Sequence, residues 1–287
     1  MSFPTTSKPT PEVSQTSPHI LSDMLEQPPH IPPSSSTIIP STHKKPTLYQ
    51  AAVSELLGTM ILVLFGDGAI AQVTLSGGSK GDYQSISWAW GLGILLGIYT
   101  STRSGSHLNP AITFTNCLLR PSMHPWSILP VYTLAQTLGA IIAAGLIYAN
   151  YHSAIDVHEG RLHARSVPIT YFSPASSSKM TGPEAMAMSN ATAGIFSTYP
   201  APFMTRSGAF FSEGLASAIL MFMVSQEERS GELILPLGLF FTVFGIGASF
   251  GWETGYAMNL ARDFGPRLVS YSYGGSVCGV YHRWIDL

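Results

Sequence analysis

Long apolar runs separated by short polar links fill the chain from Ala51 onward. Taking roughly 18 to 20 apolar residues as one crossing of a bilayer, the pattern predicts spans near Ala51–Val73, Ile86–Thr100, Ile128–Ala149, Gly208–Ser225 and Leu233–Phe250. Two further apolar pieces, Pro110–Leu119 and Leu260–Val269, are about 10 residues each, which is half a bilayer for a helix rising about 1.5 Å per residue. They predict re-entrant half-helices. Each opens at an Asn-centred segment, Ser104-Gly105-Ser106-His107-Leu108-Asn109-Pro110-Ala111 in the first half and Thr254-Gly255-Tyr256-Ala257-Met258-Asn259-Leu260-Ala261-Arg262 in the second. Non-helical backbone at membrane depth is tolerated only beside protein or a water-filled cavity, so two such segments imply a cavity between them.

The halves echo each other. Ser54-Glu55 opens the first span and Ser212-Glu213 the fourth, and each is followed by an apolar run, a second span and an Asn segment. Three spans precede the second half, and an odd number turns it upside down relative to the first, giving an inverted pair with its site near the midplane. Asn is a favoured N-cap and proline suits the first helical position, so Asn109-Pro110 reads as a helix start. Two helix starts meeting at mid-membrane place roughly half a positive charge each beside the cavity, which opposes cations while the Asn amides donate to passing oxygens. A single Asn-Pro-Ala tripeptide in a soluble chain is an ordinary turn; two related copies in membrane-length context are not.

Composition narrows the class. Charged residues are 10% of 287 and hydrophobic ones 45%, as in a polytopic membrane protein embedded in a lipid bilayer. The net charge of -2, with no basic stripe, excludes a nucleic-acid partner. Cys117 and Cys278 form neither a disulfide framework nor a metal-ligand spacing. Residues 1–47 are rich in Ser, Thr and Pro and are expected to be a disordered tail, because they cannot bury enough apolar surface to offset ordering. No cleavable signal precedes the first span, which would itself direct insertion. Lys44, Lys45 and Arg120 place the amino terminus in the cytoplasm by the positive-inside tendency. The link over about 150–207 is then extracellular, and Asn190 within it heads a glycosylation sequon.

At this point the chain resembles the major intrinsic protein (aquaporin) family, in its aquaglyceroporin branch and fungal style, from about Ser54 to Arg267. The resemblance rests on Glu55-Leu56-Leu57-Gly58-Thr59 with Phe65-Gly66-Asp67-Gly68, Ser104-Gly105 with His107-Leu108-Asn109-Pro110-Ala111, Ala135-Gln136 with Gly139-Ala140, Phe196-Ser197-Thr198-Tyr199-Pro200, and the run Gly255 to Arg267. It implies an all-α inverted-repeat bundle with two re-entrant half-helices, a channel domain over 48–268, and a tetramer with a pore in each subunit. It also implies a selectivity filter of Trp90, Gly247, Tyr256 and Arg262, in which an aromatic wall accepts a carbon backbone while Arg262 donates to hydroxyls. Asp263 marks the glycerol-conducting branch. An arginine or carboxylate at membrane depth is costly and by default functional, and the resemblance gives Glu55 and Glu213 the role of holding the re-entrant loops. Gln136 and His107 read as further loop support, with His107 alternatively lining the inner mouth.

The chain departs from that pattern in three places. Leu260 stands where proline is usual, with a modest effect expected because leucine is a good helix former. The lead-in Ser101-Thr102-Arg103-Ser104 is one residue shorter than the family's, and a one-residue shift within the helix would turn Trp90 by about 100°. Residues 269–287 contain no crossing-length apolar run, so a sixth span is expected to be missing or truncated. The function expected is a passive channel for glycerol, other small uncharged solutes and water, without cofactor or covalent chemistry, in the plasma membrane. The alternatives are a non-conducting or regulatory variant of the same fold, and a secondary transporter. No nucleophile and base stand together to suggest an enzyme.

Overall fold

Seven α-helices and one short 3-10 turn make up the described part of the computed structural model, which covers residues 46–159, 191–227 and 234–274. All of them lie in one compact unit, Lys45–Leu287. The expectations for the N-terminal tail, for Asn190 and for residues 275–287 fall outside the described residues.

Local chemistry starts the helices. Helix α1, Leu48–Leu75, begins at Thr47, whose hydroxyl accepts from Gln50 N while the Gln50 side chain accepts from Thr47 N, a reciprocal cap. Helix α2, Tyr83–Thr100, begins in the same way with Asp82 and Ser85. The first half-helix, α3, spans Pro110–Leu119 behind the N-cap Asn109, with proline at its first position. Helix α4 runs over Ile128–His158, α5 over Arg206–Glu227 and α6 over Ile234–Thr254. The second half-helix, α7, is Leu260–Gly274.

Four helices, α1, α4, α5 and α6, are long and apolar enough to cross a membrane. Helix α2 differs from the other predicted spans: its 18 residues include Tyr83, Gln84, Ser85 and Ser87, which dilute its hydropathy, and it packs between α1 and α6. Two bounds differ most from the apolar pattern. Helix α4 continues nine residues past Ala149 through a mixed stretch that buries Ile155, and α7 continues past Val269, where Ser270 and Ser272 donate their hydroxyls back to the Arg267 and Leu268 carbonyls, keeping polar side chains satisfied within a helix. The predicted external link is therefore shorter than 150–207 at both ends. Its final part, with the turn Ala193–Ile195, returns to pack on α1, and Thr192 donates its amide and hydroxyl to Glu159 at the end of α4.

Close helix crossings hold the bundle. A Cβ on Gly97 of α2 would lie 2.8 Å from the Gly58 carbonyl oxygen of α1, and one on Gly139 of α4 only 2.2 Å from the Leu56 carbonyl oxygen. Side chains this small let membrane helices approach to backbone contact. The outward faces are apolar: Leu134, Phe210 and Phe222 are 62%, 83% and 63% exposed. Such patches would be a liability in water and suit a lipid environment.

Candidate functional site

The two Asn segments meet by their side chains. The Asn109 amide donates from Nδ2 to the Met258 carbonyl (2.8 Å), and Asn259 Nδ2 donates to the Leu108 carbonyl (2.8 Å). On its other side Asn109 Oδ1 accepts from Ala111 N (2.9 Å), while Asn259 Oδ1 accepts from Ala261 N (3.0 Å) and Arg262 N (3.2 Å). Each Asn thus caps its own half-helix and bridges to the opposite loop. The second cap forms without proline, since Asn259 binds two amides where Asn109 binds one.

The lead-ins are bent alike. Counting back from each Asn, the residues one and three places earlier have positive φ: Leu108 (53°) and Ser106 (55°) in one half, Met258 (45°) and Tyr256 (40°) in the other, with Gly105 and Gly255 at 87° and 84° four places earlier. Left-handed backbone in side-chain-bearing residues is held only where the surroundings over-determine it. Here the surroundings are a carboxylate in each half, fully buried at Glu55 and partly buried at Glu213. Glu55 accepts at Oε1 from Ser104 Oγ (2.5 Å) and His107 N (2.9 Å), and at Oε2 from Leu108 N (2.7 Å) and Gln136 Nε2 (2.7 Å). Glu213 accepts at Oε1 from Thr254 Oγ1 (2.6 Å) and Ala257 N (2.9 Å), and at Oε2 from Met258 N (3.0 Å). The donors stand five, two and one places before the Asn in both halves, so the repeat extends to individual hydrogen bonds.

Gln136 also donates to Thr113 Oγ1 (3.2 Å), which carries the support onto α3. His107 is buried beside it, with Nδ1 3.1 Å from Thr113 Oγ1 and Nε2 3.2 Å from Asn116 Nδ2. It borders the cavity as well, so the support and lining roles coincide in one side chain. Its ring is flanked by His124 (5.0 Å between centroids) and Tyr132 (5.3 Å). His124 sits in the link after α3, where partial burial and the nearby Arg120 guanidinium lower its pKa.

A cavity runs past these groups. One wall is apolar, with Leu62, Ile94, Ile98, Leu220, Leu239 and Val243. The other carries Asn116, His107, Asn109, Asn259 and Arg262. At the end opposite His107, the Arg262 guanidinium lies over the Trp90 ring, 4.1 Å from its centroid, and both residues are buried. The guanidinium makes no hydrogen bond to any described residue, which leaves its donors facing the cavity. Trp90 is thus held at this end despite the shortened lead-in. Gly66 makes room for it, since a Cβ there would lie 2.3 Å from the indole. Tyr256 completes the aromatic corner. Gly247 does not line the cavity; a Cβ on it would lie 2.9 Å from the Tyr256 ring, so its smallness is used to seat that ring.

Asp263 stands outside the cavity. It accepts from Thr198 N (2.7 Å) and Thr198 Oγ1 (2.9 Å) and from both Nε and Nη2 of Arg267, whose Nη2 also donates to the Thr198 carbonyl (2.8 Å). This clamp ties the link between α4 and α5 to α7 one residue after Arg262. Thr113, Asn116, Thr198 and Arg267 were not singled out from the sequence as site residues. The 3.6-residue period gave one signal: Asn109, Ile112, Thr113 and Asn116 fall on one face of α3.

Two inverted halves, each capped by an Asn that bridges to the other, around a half-polar cavity, define a membrane channel of the inverted-repeat kind. The model of the family described as major intrinsic protein matches residues 42–285, and the chain belongs to that family. Over 246 residues it is 54% identical to a protein of Gibberella zeae named "Probable aquaglyceroporin-2", covering 83% of this chain and 67% of that one. It is 52% identical over 242 residues to "Aquaglyceroporin-9" of Botryotinia fuckeliana, covering 82% of this chain and 49% of that protein's length. Among solved structures, the aquaglyceroporin from Plasmodium falciparum superposes with a TM-score of 0.65 at 27% identity, covering 84% of this chain and 90% of that one.

Proposed function

We propose that this chain is a passive channel for glycerol, other small uncharged solutes and water. The observation that carries the reading is the buried Arg262 guanidinium, which lies over the Trp90 ring, makes no hydrogen bond to any described residue and faces the cavity beside Tyr256. A carbon backbone can slide along the aromatic rings while hydroxyls take hydrogen bonds from Arg262 and, deeper, from Asn109 and Asn259. The apolar wall supplies no competing partners, so a solute is held by one face and moves on. Two helix starts and a guanidinium oppose cations. Nothing in this process makes or breaks a covalent bond, and the chain acts as a transporter, not an enzyme.

The same reading places the channel domain at 48–268 in the plasma membrane, with the amino terminus in the cytoplasm beside Lys44, Lys45 and Arg120. It assembles as a homotetramer, a reading supported by family membership and by the apolar outward faces.

The test is osmotic swelling of proteoliposomes holding the purified chain, beside Arg262→Ala and empty vesicles. Wild-type vesicles are expected to swell in glycerol well above the empty ones. Arg262→Ala is expected to change the glycerol-to-water ratio about tenfold, through loss of charge-assisted hydrogen bonding at the narrowest point. Wild-type permeability equal to that of empty vesicles, from folded protein, overturns the reading.

A further inference from the structure

Below the Asn pair, at the end of the cavity opposite Arg262, the structure holds a second polar station. Asn116 stands two helical turns after Asn109 on the same face of α3, is only 2% exposed, and lines the cavity. Its Nδ2 lies 3.2 Å from His107 Nε2. Its Oδ1 accepts no hydrogen bond from any described residue, although side-chain oxygens buried in membrane proteins ordinarily find one.

The surrounding network assigns the protons. With the Thr113 hydroxyl donating to the Asn109 carbonyl (3.1 Å), Thr113 Oγ1 accepts from Gln136 Nε2 (3.2 Å) and from His107 Nδ1 (3.1 Å), which is the tautomer with the ring hydrogen on Nδ1. His107 Nε2 is then the acceptor for Asn116 Nδ2, which directs Oδ1 away from the ring. The imidazole is neutral and both of its nitrogens are spent. At this level of the pore Asn116 Oδ1 is therefore the open side-chain acceptor, beside the backbone of Gly105 and Ser106, which also lines the cavity.

We propose that Asn116 is a specificity-determining residue, a hydrogen-bond acceptor for the hydroxyls of small neutral polyols in the inner half of the pore, oriented by His107. The proposal rests on the channel reading above. Opposite the station the wall is apolar, with Ile98, Val224 and Leu235. A polyol there has shed its water and depends on the wall for each hydroxyl. Water in single file can still bond to its neighbours. Loss of the acceptor therefore weighs on glycerol more than on water, whereas a purely supporting role for Asn116 would lower both together.

The experiment measures glycerol and water permeability, at one pH, of proteoliposomes holding the purified full chain as wild type, Asn116→Leu and Asn116→Gln. Asn116→Leu keeps the branched four-atom shape and removes the amide. Its glycerol permeability is expected to fall about fivefold, the scale of one lost hydrogen bond, with water changed less than about twofold. Asn116→Gln, which restores an amide, is expected to recover much of the loss. Should the leucine variant not fold, Asn116→Ser, whose hydroxyl is too short to bond His107 and reach the solute together, is expected to lower the same ratio. A glycerol-to-water ratio unchanged in a folded variant, or an equal loss of both, overturns the proposal. Wild-type vesicles that pass neither solute overturn the channel reading itself, and this one with it.

Discussion

The two carboxylates differ as single residues in a way that stability can measure. Glu55 is fully buried and accepts four hydrogen bonds, from donors that include two backbone amides in left-handed or adjoining positions. Glutamine in its place turns one acceptor oxygen into a donor that faces other donors. Glu55→Gln is therefore expected to destabilise by about 3 kcal/mol, the range for hydrogen bonds to a buried charge left unmatched. Glu213 is partly exposed and accepts three. Water can relieve the mismatch there, so Glu213→Gln is expected to lose clearly less. Thermal melting of both variants in detergent checks the order; equal losses would contradict it. An acid within each apolar run marked Glu55 and Glu213 as functional, and the family resemblance implied that they hold the loops. Which backbone amides each one holds was not readable, because those donors come from 52 to 53 and 44 to 45 residues further along.

At the scale of elements, the half-helices show what capping can replace. Proline at the first position of α3 presets φ and has no amide to leave unpaired. Leu260 in α7 has an amide and a free φ, and Asn259 compensates by binding the amides of both Ala261 and Arg262. Leu260→Pro would add the preset without touching either bond, and Leu260 faces outward at 52% exposure. A gain of about 0.5 kcal/mol is expected, chiefly from the restricted unfolded chain, and appears as a raised melting temperature. A loss of stability would mean that the Leu260 amide or side chain has a role the geometry does not reveal. The bounds of α4 and α7 extend beyond the apolar pattern because a helix ends where its backbone bonding ends: Ser270 and Ser272 are satisfied within α7, and Ile155 anchors the end of α4 in a cluster with Ile195 and Phe196.

Across the whole molecule, α4 joins the two halves. It packs on α1, on α3 and on α7. On one side Gly139 meets the Leu56 carbonyl of α1. On the other, a Cβ on Gly265 of α7 would lie 2.9 Å from Ala140 Cβ and 3.0 Å from the Thr137 carbonyl oxygen. A single turn of one helix is thus gripped from both sides. Gly139→Ala would need α1 and α4 to part, since the obstacle is backbone and cannot rotate away. A loss of about 2 to 3 kcal/mol is expected from overpacking. Because Gln136 on the same helix supports Glu55, glycerol permeability should fall with it. A variant as stable and as active as wild type would show that the crossing is looser than drawn.

By itself the sequence determined what depends on neighbours along the chain. Apolar run length set the spans, Asn and Pro set the starts of the half-helices, and the recurrence of Ser-Glu and Asn segments set the inverted pairing. Tertiary structure decided what depends on groups far apart in sequence. Gly247, a filter residue by resemblance, seats the Tyr256 ring; Asp263, a branch marker by resemblance, is bonded to Thr198 and Arg267, outside the cavity; Asn116 reads as one polar residue in a short apolar helix and borders the pore beside His107. A helix period tells which residues share a face, but the partner of that face is chosen by packing, and hydrogen bonds reach only about 3 Å.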